Sequence, residues 1–155
     1  MVTAWRLVKT RLVATAFDGE GARLFGGRWS GPGTRVVYAS DTLALAALEV
    51  LANLQDAALL VSAYSAFRLT LPKALAEELD PEALPGDWMT SPAPAALRDI
   101  GDAWVRAGRS AVLRVPSAIV RTEWNLLLNP AHRRFGEITI GPRQPFAFDQ
   151  RLPKR

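Results

Sequence analysis

The sequence predicts an α+β fold in which helices flank a mixed or antiparallel sheet. The clearest strand is residues 61–71, where successive side chains alternate between two faces. Two apolar-periodic stretches, residues 41–54 and 94–108, predict amphipathic helices, the second stopped by Gly108. Strands are expected before, between and after these helices, without regular β-α-β alternation, which argues against a doubly wound parallel sheet.

The length and composition of the chain exclude several kinds of site. At 155 residues, we expect one domain over residues 1–155, because such a chain can bury about 70% of its unfolded surface in one core. The sequence has no cysteine and one histidine, His132. Disulfides, thiolate nucleophiles, Cys-based metal sites and multi-histidine clusters are therefore excluded, and we expect no metal site.

The charge of the chain is mildly basic, with a net charge of +4. Almost all of the cationic side chains are arginines, and they are scattered along the chain. Scattering favours separate anion contacts over a nucleic-acid surface. No apolar run approaches the ~18 residues of a membrane span, and the N-terminus lacks the apolar region of a signal peptide. The sequence therefore predicts a soluble, cytoplasmic protein.

The remaining elements are shorter and rest on weaker patterns. Further strands are predicted at residues 4–8, 35–39, 111–115, 118–120, 124–128, 137–140 and 146–148. Pro72 ends the strand of residues 61–71, and a short helix is predicted at residues 73–79. Residues 10–24 follow no clear period, although residues 18–21 have the composition of a turn.

A glycine-rich loop at residues 26–33 holds Arg28 and Trp29 among four glycines and one proline. Glycines let backbone amides approach a ligand, so an anion there could receive N–H bonds together with a bidentate guanidinium. The alternative is an ordinary surface arginine. The loop has neither the spaced glycines of a dinucleotide fingerprint nor the Gly-Lys-Ser/Thr of a P-loop.

Glu49 is the only charged side chain in residues 43–54. Helical spacing predicts a core-facing stripe on this helix, with Glu49 roughly opposite it. The stripe consists of Leu43, Ala47, Val50, Leu51 and Leu54. Leu45 and Leu48 flank Glu49, which makes its face unusually apolar for a solvent surface. An exposed glutamate and a half-buried functional carboxylate both remain open.

Three further side chains could contact a ligand. Tyr38 ends the strand that precedes the Glu49 helix, whose N-cap is expected at Ser40 or Asp41; its alternative role is a half-buried strand aromatic. Ser117 lacks the surroundings of a nucleophile elbow, which disfavours a serine hydrolase. Asn125 could bind a polar ligand or help the chain to turn.

A series of short motifs runs in order over nearly the whole chain. The motifs are Gly26-Gly27-Arg28-Trp29, Val36-Val37-Tyr38-Ala39-Ser40, Ala46-Ala47-Leu48-Glu49-Val50-Leu51, Val115-Pro116-Ser117-Ala118, Glu123-Trp124-Asn125, Leu128-Asn129-Pro130 and Phe148-Asp149-Gln150-Arg151-Leu152. Together they closely resemble the RES domain family, which is named for an arginine, a glutamate and a serine. Ser30 departs from the family pattern, in which an asparagine commonly follows the tryptophan.

This resemblance implies the toxin of a bacterial type II toxin-antitoxin pair, with a fold like that of ADP-ribosyltransferases. It implies NAD as the substrate and no other cofactor. Known members of the family degrade NAD by hydrolysis or phosphorolysis, and some transfer ADP-ribose to a protein. The expected partner is an Xre-like helix-turn-helix antitoxin that covers the active site, so that DNA is contacted only through this partner.

Carried onto this sequence, the resemblance implies Arg28, Glu49 and Ser117 as catalytic residues. The expected substrate-binding residues are Arg28, Tyr38, Trp29 and Asn125. Arg28 would bind the diphosphate, Tyr38 the nicotinamide ring, and Glu49 would stabilise the positive charge that develops on the ribose. Two alternatives remain: an ADP-ribosyltransferase that modifies a cellular protein, and a non-catalytic nucleotide-binding module.

Overall fold

A computed structural model describes residues 1–54 and 56–152, and in these residues one mixed sheet is flanked by helices, which confirms the α+β prediction. Its strands are β1 (Val2–Lys9), β2 (Val37–Ser40), β3 (Tyr64–Leu71), β4 (Ala76–Glu78), β5 (Val112–Pro116), β6 (Trp124–Leu128), β7 (Thr139–Ile140) and β8 (Gln144–Phe146). The α-helices are α1 (Glu20–Phe25), α2 (Leu43–Asn53) and α3 (Ala95–Ala107). Short 3-10 helices lie at Thr10–Thr15, Ala57–Val61, Lys73–Leu75, Pro81–Ala83 and Phe135–Glu137. None of the helices in the described ranges is long and apolar enough to cross a membrane.

The strands of the sheet are paired over several residues at most of its joints, but β1 and β2 share a single register pair. Its strand order is β4-β5-β6-β2-β1-β3-β7, and β8 also pairs with β3. Only the β4–β5 pairing is parallel among the described strands. β1 pairs with β3 along its whole length, whereas its pairing with β2 consists of Trp5 opposite Ser40. The sheet therefore separates beside this pair.

The alternation predicted for β1 and β3 is confirmed by the two faces of the sheet. On one face, Phe67 and Leu69 of β3 belong to a core that also contains Val8 of β1. On the other face, Tyr64 and Leu7 pack with Ala46 of α2. A third cluster joins β5 and β6 to α3 and to the glycine-rich loop. Both faces of the sheet are thus covered by apolar contacts.

Residues 118–120 do not form the predicted strand. The Ser117 hydroxyl accepts hydrogen bonds from the backbone N–H groups of Ile119 and Val120, each at 3.1 Å. The Ser117 N–H also donates to the Glu123 carbonyl at 3.0 Å. Side-chain bonds to the local backbone compete with strand pairing, so this segment forms a turn between β5 and β6.

Several other boundaries also differ from prediction. The helix expected at residues 73–79 is limited to the 3-10 turn Lys73–Leu75, because Ala76–Glu78 pairs with β5 instead. A one-turn helix is marginal alone, and strand pairing supplies the backbone bonds that it lacks. Helix α1 was not predicted. β3 begins at Tyr64 rather than at residue 61, and β7 and β8 are shorter than, or displaced from, the strands expected at residues 137–140 and 146–148.

Helix α2 confirms the predicted helix but only part of its predicted orientation. Its N-cap is Thr42, whose hydroxyl accepts a hydrogen bond from the Leu45 N–H at 3.1 Å, whereas Ser40 belongs to β2. The buried side chains of α2 are Leu45 and Ala46. These residues lie one turn before Glu49 on the same side of the helix. The predicted stripe is confirmed in part, because Leu43, Ala47 and Val50 pack against the cluster that contains Leu7 and Tyr64. The buried face is wider than predicted, and Glu49 is half-buried at its edge instead of lying opposite the core.

Helix α3 supports the loop that carries Arg28. Leu97, Gly101 and Trp104 are buried, whereas Ala103, which was predicted on the buried stripe, is exposed. The loop backbone crosses the helix at Gly101, where an added Cβ would lie only 1.6 Å from the Trp29 carbonyl oxygen. The contact requires a residue without a side chain.

Gly101→Ala should therefore displace the loop and lower the free energy of unfolding by about 3 kcal/mol, the upper end of the cost of overpacking. Urea denaturation followed by circular dichroism measures this change. The matched control is Gly21→Ala in α1, where an added Cβ meets nothing within 4 Å. Equal stability of Gly101→Ala and the wild type would contradict the close contact.

Candidate active site

A cavity of about 790 Å³ lies where the sheet opens between β1 and β2. This volume suits a ligand of cofactor size. Of the residues predicted at the site, Arg28, Trp29, Tyr38, Glu49 and Asn125 line the cavity, whereas Ser117 lies behind Glu49 and is not part of the lining. The structure thus brings together side chains from the glycine-rich loop, β2, α2 and β6.

Glu49 is held through one of its two carboxylate oxygens. Its Oε1 atom accepts hydrogen bonds from the Ser117 hydroxyl at 3.1 Å and from Asn125 Nδ2 at 2.9 Å. No donor from residues 1–54 or 56–152 bonds to Oε2. The side chain is half-buried and lines the cavity. One oxygen is therefore anchored and the other is available to a ligand.

The orientation of the Ser117 hydroxyl follows from its other contacts. Ser117 is fully buried directly after β5. Its oxygen accepts the N–H groups of Ile119 and Val120, so its single proton is left for Glu49. The turn that replaced the predicted strand is thus what directs this hydroxyl at the carboxylate.

Tyr38 fixes the loop as well as lining the cavity. Its hydroxyl accepts a hydrogen bond from the Trp29 N–H at 3.2 Å and shares one with Ser30 Oγ at 2.7 Å. A Cβ at Gly27 would lie 2.5 Å from this hydroxyl, so only glycine allows the approach. Burial raises the pKa of Tyr38, while the bond to Ser30 acts in the opposite direction. A role in stacking on a ring stays a prediction.

Three backbone amides of the glycine-rich loop donate to groups within the protein. The Gly27 N–H donates to the Ser30 carbonyl at 2.8 Å, and the Gly31 N–H donates to the Asp102 carboxylate at 3.0 Å. The Trp29 N–H bonds to Tyr38. These three amides hold the loop in place and do not serve an anion, so the predicted anion contact stays a prediction only for the other N–H groups of the loop.

The Arg28 side chain itself remains suited to an anion. Its Nη1 atom donates to the carbonyl oxygens of Trp88 at 3.1 Å and Thr90 at 3.0 Å. No ion pair joins it to a carboxylate within the described ranges. The two carbonyls orient the guanidinium, and its Nε and Nη2 groups are left for a ligand.

Trp29 lines the cavity and also packs against α3, and its contact with substrate stays a prediction. The residue is only 2% exposed and packs against Leu97 and Trp104 of α3. Burial of the indole anchors the loop next to Arg28.

Arg6 of β1 is a cavity residue that the sequence analysis missed. Its Nε donates to the Ala16 carbonyl at 3.0 Å and its Nη1 to the Tyr38 carbonyl at 2.9 Å. Burial lowers its pKa to about 10, so it is still a cation at neutral pH. No ion pair to it occurs in the part of the chain that the structure describes. The sequence did offer one signal for this residue, since Arg6 is a charged side chain inside a predicted strand that is otherwise mostly apolar.

Within the described residues, the cavity combines two arginines that have no acidic partner with a carboxylate whose Oε2 accepts no hydrogen bond. The guanidinium groups suit an anionic ligand such as a diphosphate. The free oxygen of Glu49 suits a centre that becomes positively charged. This arrangement can hold an anionic ligand beside a group able to stabilise a cation.

The stability of the folded protein should fall at alkaline pH because of its two tyrosines, Tyr38 and Tyr64. Burial raises the pKa of both above the usual value of 10.0. The unfolded chain therefore releases these protons first, and stability should fall as pH rises above about 10. Phenolate absorbance, titrated in buffer and in urea, measures this, with Tyr38→Phe to separate the two residues. Identical titrations in buffer and urea would contradict it.

Comparisons with known proteins identify the family of this chain and several of its relatives. The model of the family described as "RES domain" matches residues 3–149. "Toxin Res" of Yersinia enterocolitica serotype O:8 / biotype 1B (strain NCTC 13174 / 8081) is 39% identical over 150 residues, covering 96% of this chain and 97% of that protein. The "Prs ADP-ribosylating toxin" of Sphingobium sp. (strain YBL2) is 35% identical over 156 residues, covering 97% and 96%.

A solved structure shares the fold. The crystal structure of the M. tuberculosis MbcT-MbcA toxin-antitoxin complex contains a chain that matches with a TM-score of 0.79. The match covers 94% of this chain and 84% of that one, at 22% identity, which supports the fold alone. With the family model spanning nearly the whole sequence and relatives above 30% identity, this chain belongs to the RES domain family.

Proposed function

We propose that this protein is the toxin of a type II toxin-antitoxin system and cleaves the bond between nicotinamide and ribose in NAD. The observation that carries the proposal is Glu49, with one oxygen anchored and the other open to a cavity that also holds Arg6 and Arg28. The similar proteins named "Toxin Res" and the relative named as ADP-ribosylating support it.

The chemistry requires stabilisation of positive charge. When the C1′–N bond breaks, its electron pair leaves with neutral nicotinamide, and the ribose becomes an oxocarbenium ion. The free Oε2 of Glu49 stabilises this cation and binds ribose hydroxyls. Water then adds to the same ribose carbon and loses a proton, which gives ADP-ribose. If phosphate adds to that carbon instead, the product is ADP-ribose 1″-phosphate. Ser117 and Asn125 keep the carboxylate in place during this step.

The remaining cavity residues bind the substrate. Arg28 and Arg6 take the diphosphate, because a guanidinium offers paired N–H groups to phosphate oxygens. Tyr38 presents its ring to the nicotinamide, with its hydroxyl held by Trp29 and Ser30. The two hydrogen bonds keep the ring in one orientation before the substrate arrives.

A second candidate function is transfer of ADP-ribose to a protein. The name of the Sphingobium relative, "Prs ADP-ribosylating toxin", favours it. The same cation would form, and a nucleophile of the acceptor protein would replace water. A non-catalytic nucleotide-binding module, the third candidate, would bind NAD without any turnover.

We further propose that a cognate Xre-like antitoxin binds over the cavity in the cytoplasm. The similar M. tuberculosis structure is named as a toxin-antitoxin complex. Leu12 and Ile119 line the cavity and are 46% and 42% exposed, so the mouth offers apolar surface to a partner. DNA would then be contacted through the antitoxin.

Glu49→Gln should keep the fold and lower kcat for nicotinamide release by about 100-fold, because the charge that stabilises the cation is removed. Chromatographic assay of nicotinamide, with and without phosphate, measures it. The exposed Glu82→Gln is the matched control and should behave as wild type.

Other results of that assay separate the candidates. Absence of turnover by the wild type, or equal turnover by Glu49→Gln, would refute NAD cleavage by this site. Calorimetric binding of NAD without turnover would identify a binding module. Label from NAD that stays on a polypeptide would identify a transferase.

Arg6→Lys should raise KM for NAD about tenfold, with a smaller change in kcat. Lysine keeps the charge but lacks the planar group that donates to two carbonyls and a phosphate at once. Initial rates over a range of NAD concentrations measure this. The exposed Arg68→Lys on β3 is the control, and an equal KM for the two variants would argue against a role of Arg6 in binding.

A further inference from the structure

We propose that Ser40 is a positioning residue whose hydroxyl holds the Asn125 amide and, through it, the carboxylate of Glu49. The inference rests on the proposed function of this site. The sequence suggested Ser40 as a helix N-cap, but the structure places it in β2, only 4% exposed. Its hydroxyl therefore does not cap the helix and can bond to a side chain of the neighbouring strand.

Ser40 and Asn125 are direct neighbours across two strands. They are register partners in the antiparallel pairing of β2 with β6. Opposite residues on one face of such a pair have Cβ atoms about 5 Å apart, within reach of short polar side chains. Ser40 Oγ donates to Asn125 Oδ1 at 2.7 Å, and Asn125 Nδ2 donates to Glu49 Oε1 at 2.9 Å.

The chain of bonds has a fixed direction. A carboxylate only accepts hydrogen bonds, so the donor end of the Asn125 amide must face Glu49. The acceptor end then faces β2, where Ser40 supplies a proton to it. Without that hydroxyl, Asn125 Oδ1 would lose its partner at the buried position of Ser40, and the amide could turn to recover one.

A turn of the amide would affect the reacting end of the site and not the diphosphate end. Glu49 would lose one of the two bonds that fix Oε1, and the free Oε2 would no longer be held in one direction. Orientation of a catalytic group contributes to the transition state. Arg28 and Arg6 are held by separate backbone carbonyls, so binding of the diphosphate should be preserved.

Kinetics of Ser40→Ala in the full chain test this inference. We expect kcat to fall about tenfold, the loss of one hydrogen bond, with KM within about twofold of wild type. The control is Ser110→Ala, which removes a buried hydroxyl that bonds to Glu77 and Trp104. That variant should keep wild-type kcat. Wild-type kcat in Ser40→Ala would overturn the inference.

A double-mutant cycle separates positioning from a merely structural role. If Ser40 acts through Asn125, then Ser40→Ala should cause no further loss of kcat in an Asn125→Ala background. An equal tenfold loss in both backgrounds would show that Ser40 acts independently, and would overturn the inference.

A readout that does not need turnover distinguishes failure of this inference from failure of the proposed function. The side-chain amide protons of Asn125, observed by NMR, should exchange slowly in the wild type because Nδ2 is bonded to Glu49. Ser40→Ala should speed their exchange at least severalfold, whether or not NAD is the substrate. Unchanged exchange would overturn the role of Ser40.

Discussion

The two hydrogen bonds that meet at Oε1 of Glu49 are the constraint on which the site depends. Helix α2 contacts the sheet through Leu45 and Ala46, and apolar contacts alone do not fix a direction. The bonds from Ser117 and Asn125 do fix one, because both donors come from the β5–β6 region of the sheet. Helix, strand and turn are thereby held in one arrangement, with the second oxygen directed away from the protein donors.

The glycine-rich loop that carries Arg28 is also fixed by hydrogen bonds, in this case bonds donated by its backbone amides. Its amides bond to Ser30, Tyr38 and Asp102, so the loop is held in a single conformation before any ligand binds. The close approaches at Gly27 and Gly101 act with these bonds, since each position excludes a side chain. A guanidinium mounted on such a loop loses little conformational freedom when it binds an anion. Gly27 and Gly101 thus contribute to a fixed loop conformation by allowing close contacts that a side chain would prevent.

The sequence predicted those features that depend on local periodicity. β1, β3, α2 and α3 follow from alternation or helical spacing, and the motif order nominated Arg28, Tyr38, Glu49 and Asn125, which do line one cavity. The orientation of α2 could not be predicted, because its apolar residues surround the helix and give little contrast between faces. The burial of Trp29 and the turn after Ser117 depend on contacts between distant segments. Such contacts leave no period in the sequence.

The burial of the Arg6 guanidinium is difficult to explain by a contribution to folding stability. Its guanidinium is taken out of water beside Ala16 and Tyr38 without an acidic partner among the described residues, and burial lowers its pKa. A desolvated cation costs free energy unless an opposite charge compensates it, and carbonyl dipoles compensate only in part. An apolar side chain would fill β1 at lower cost. An anionic ligand in the cavity would supply the missing charge, so the burial of Arg6 supports the proposal that the cavity binds an anion.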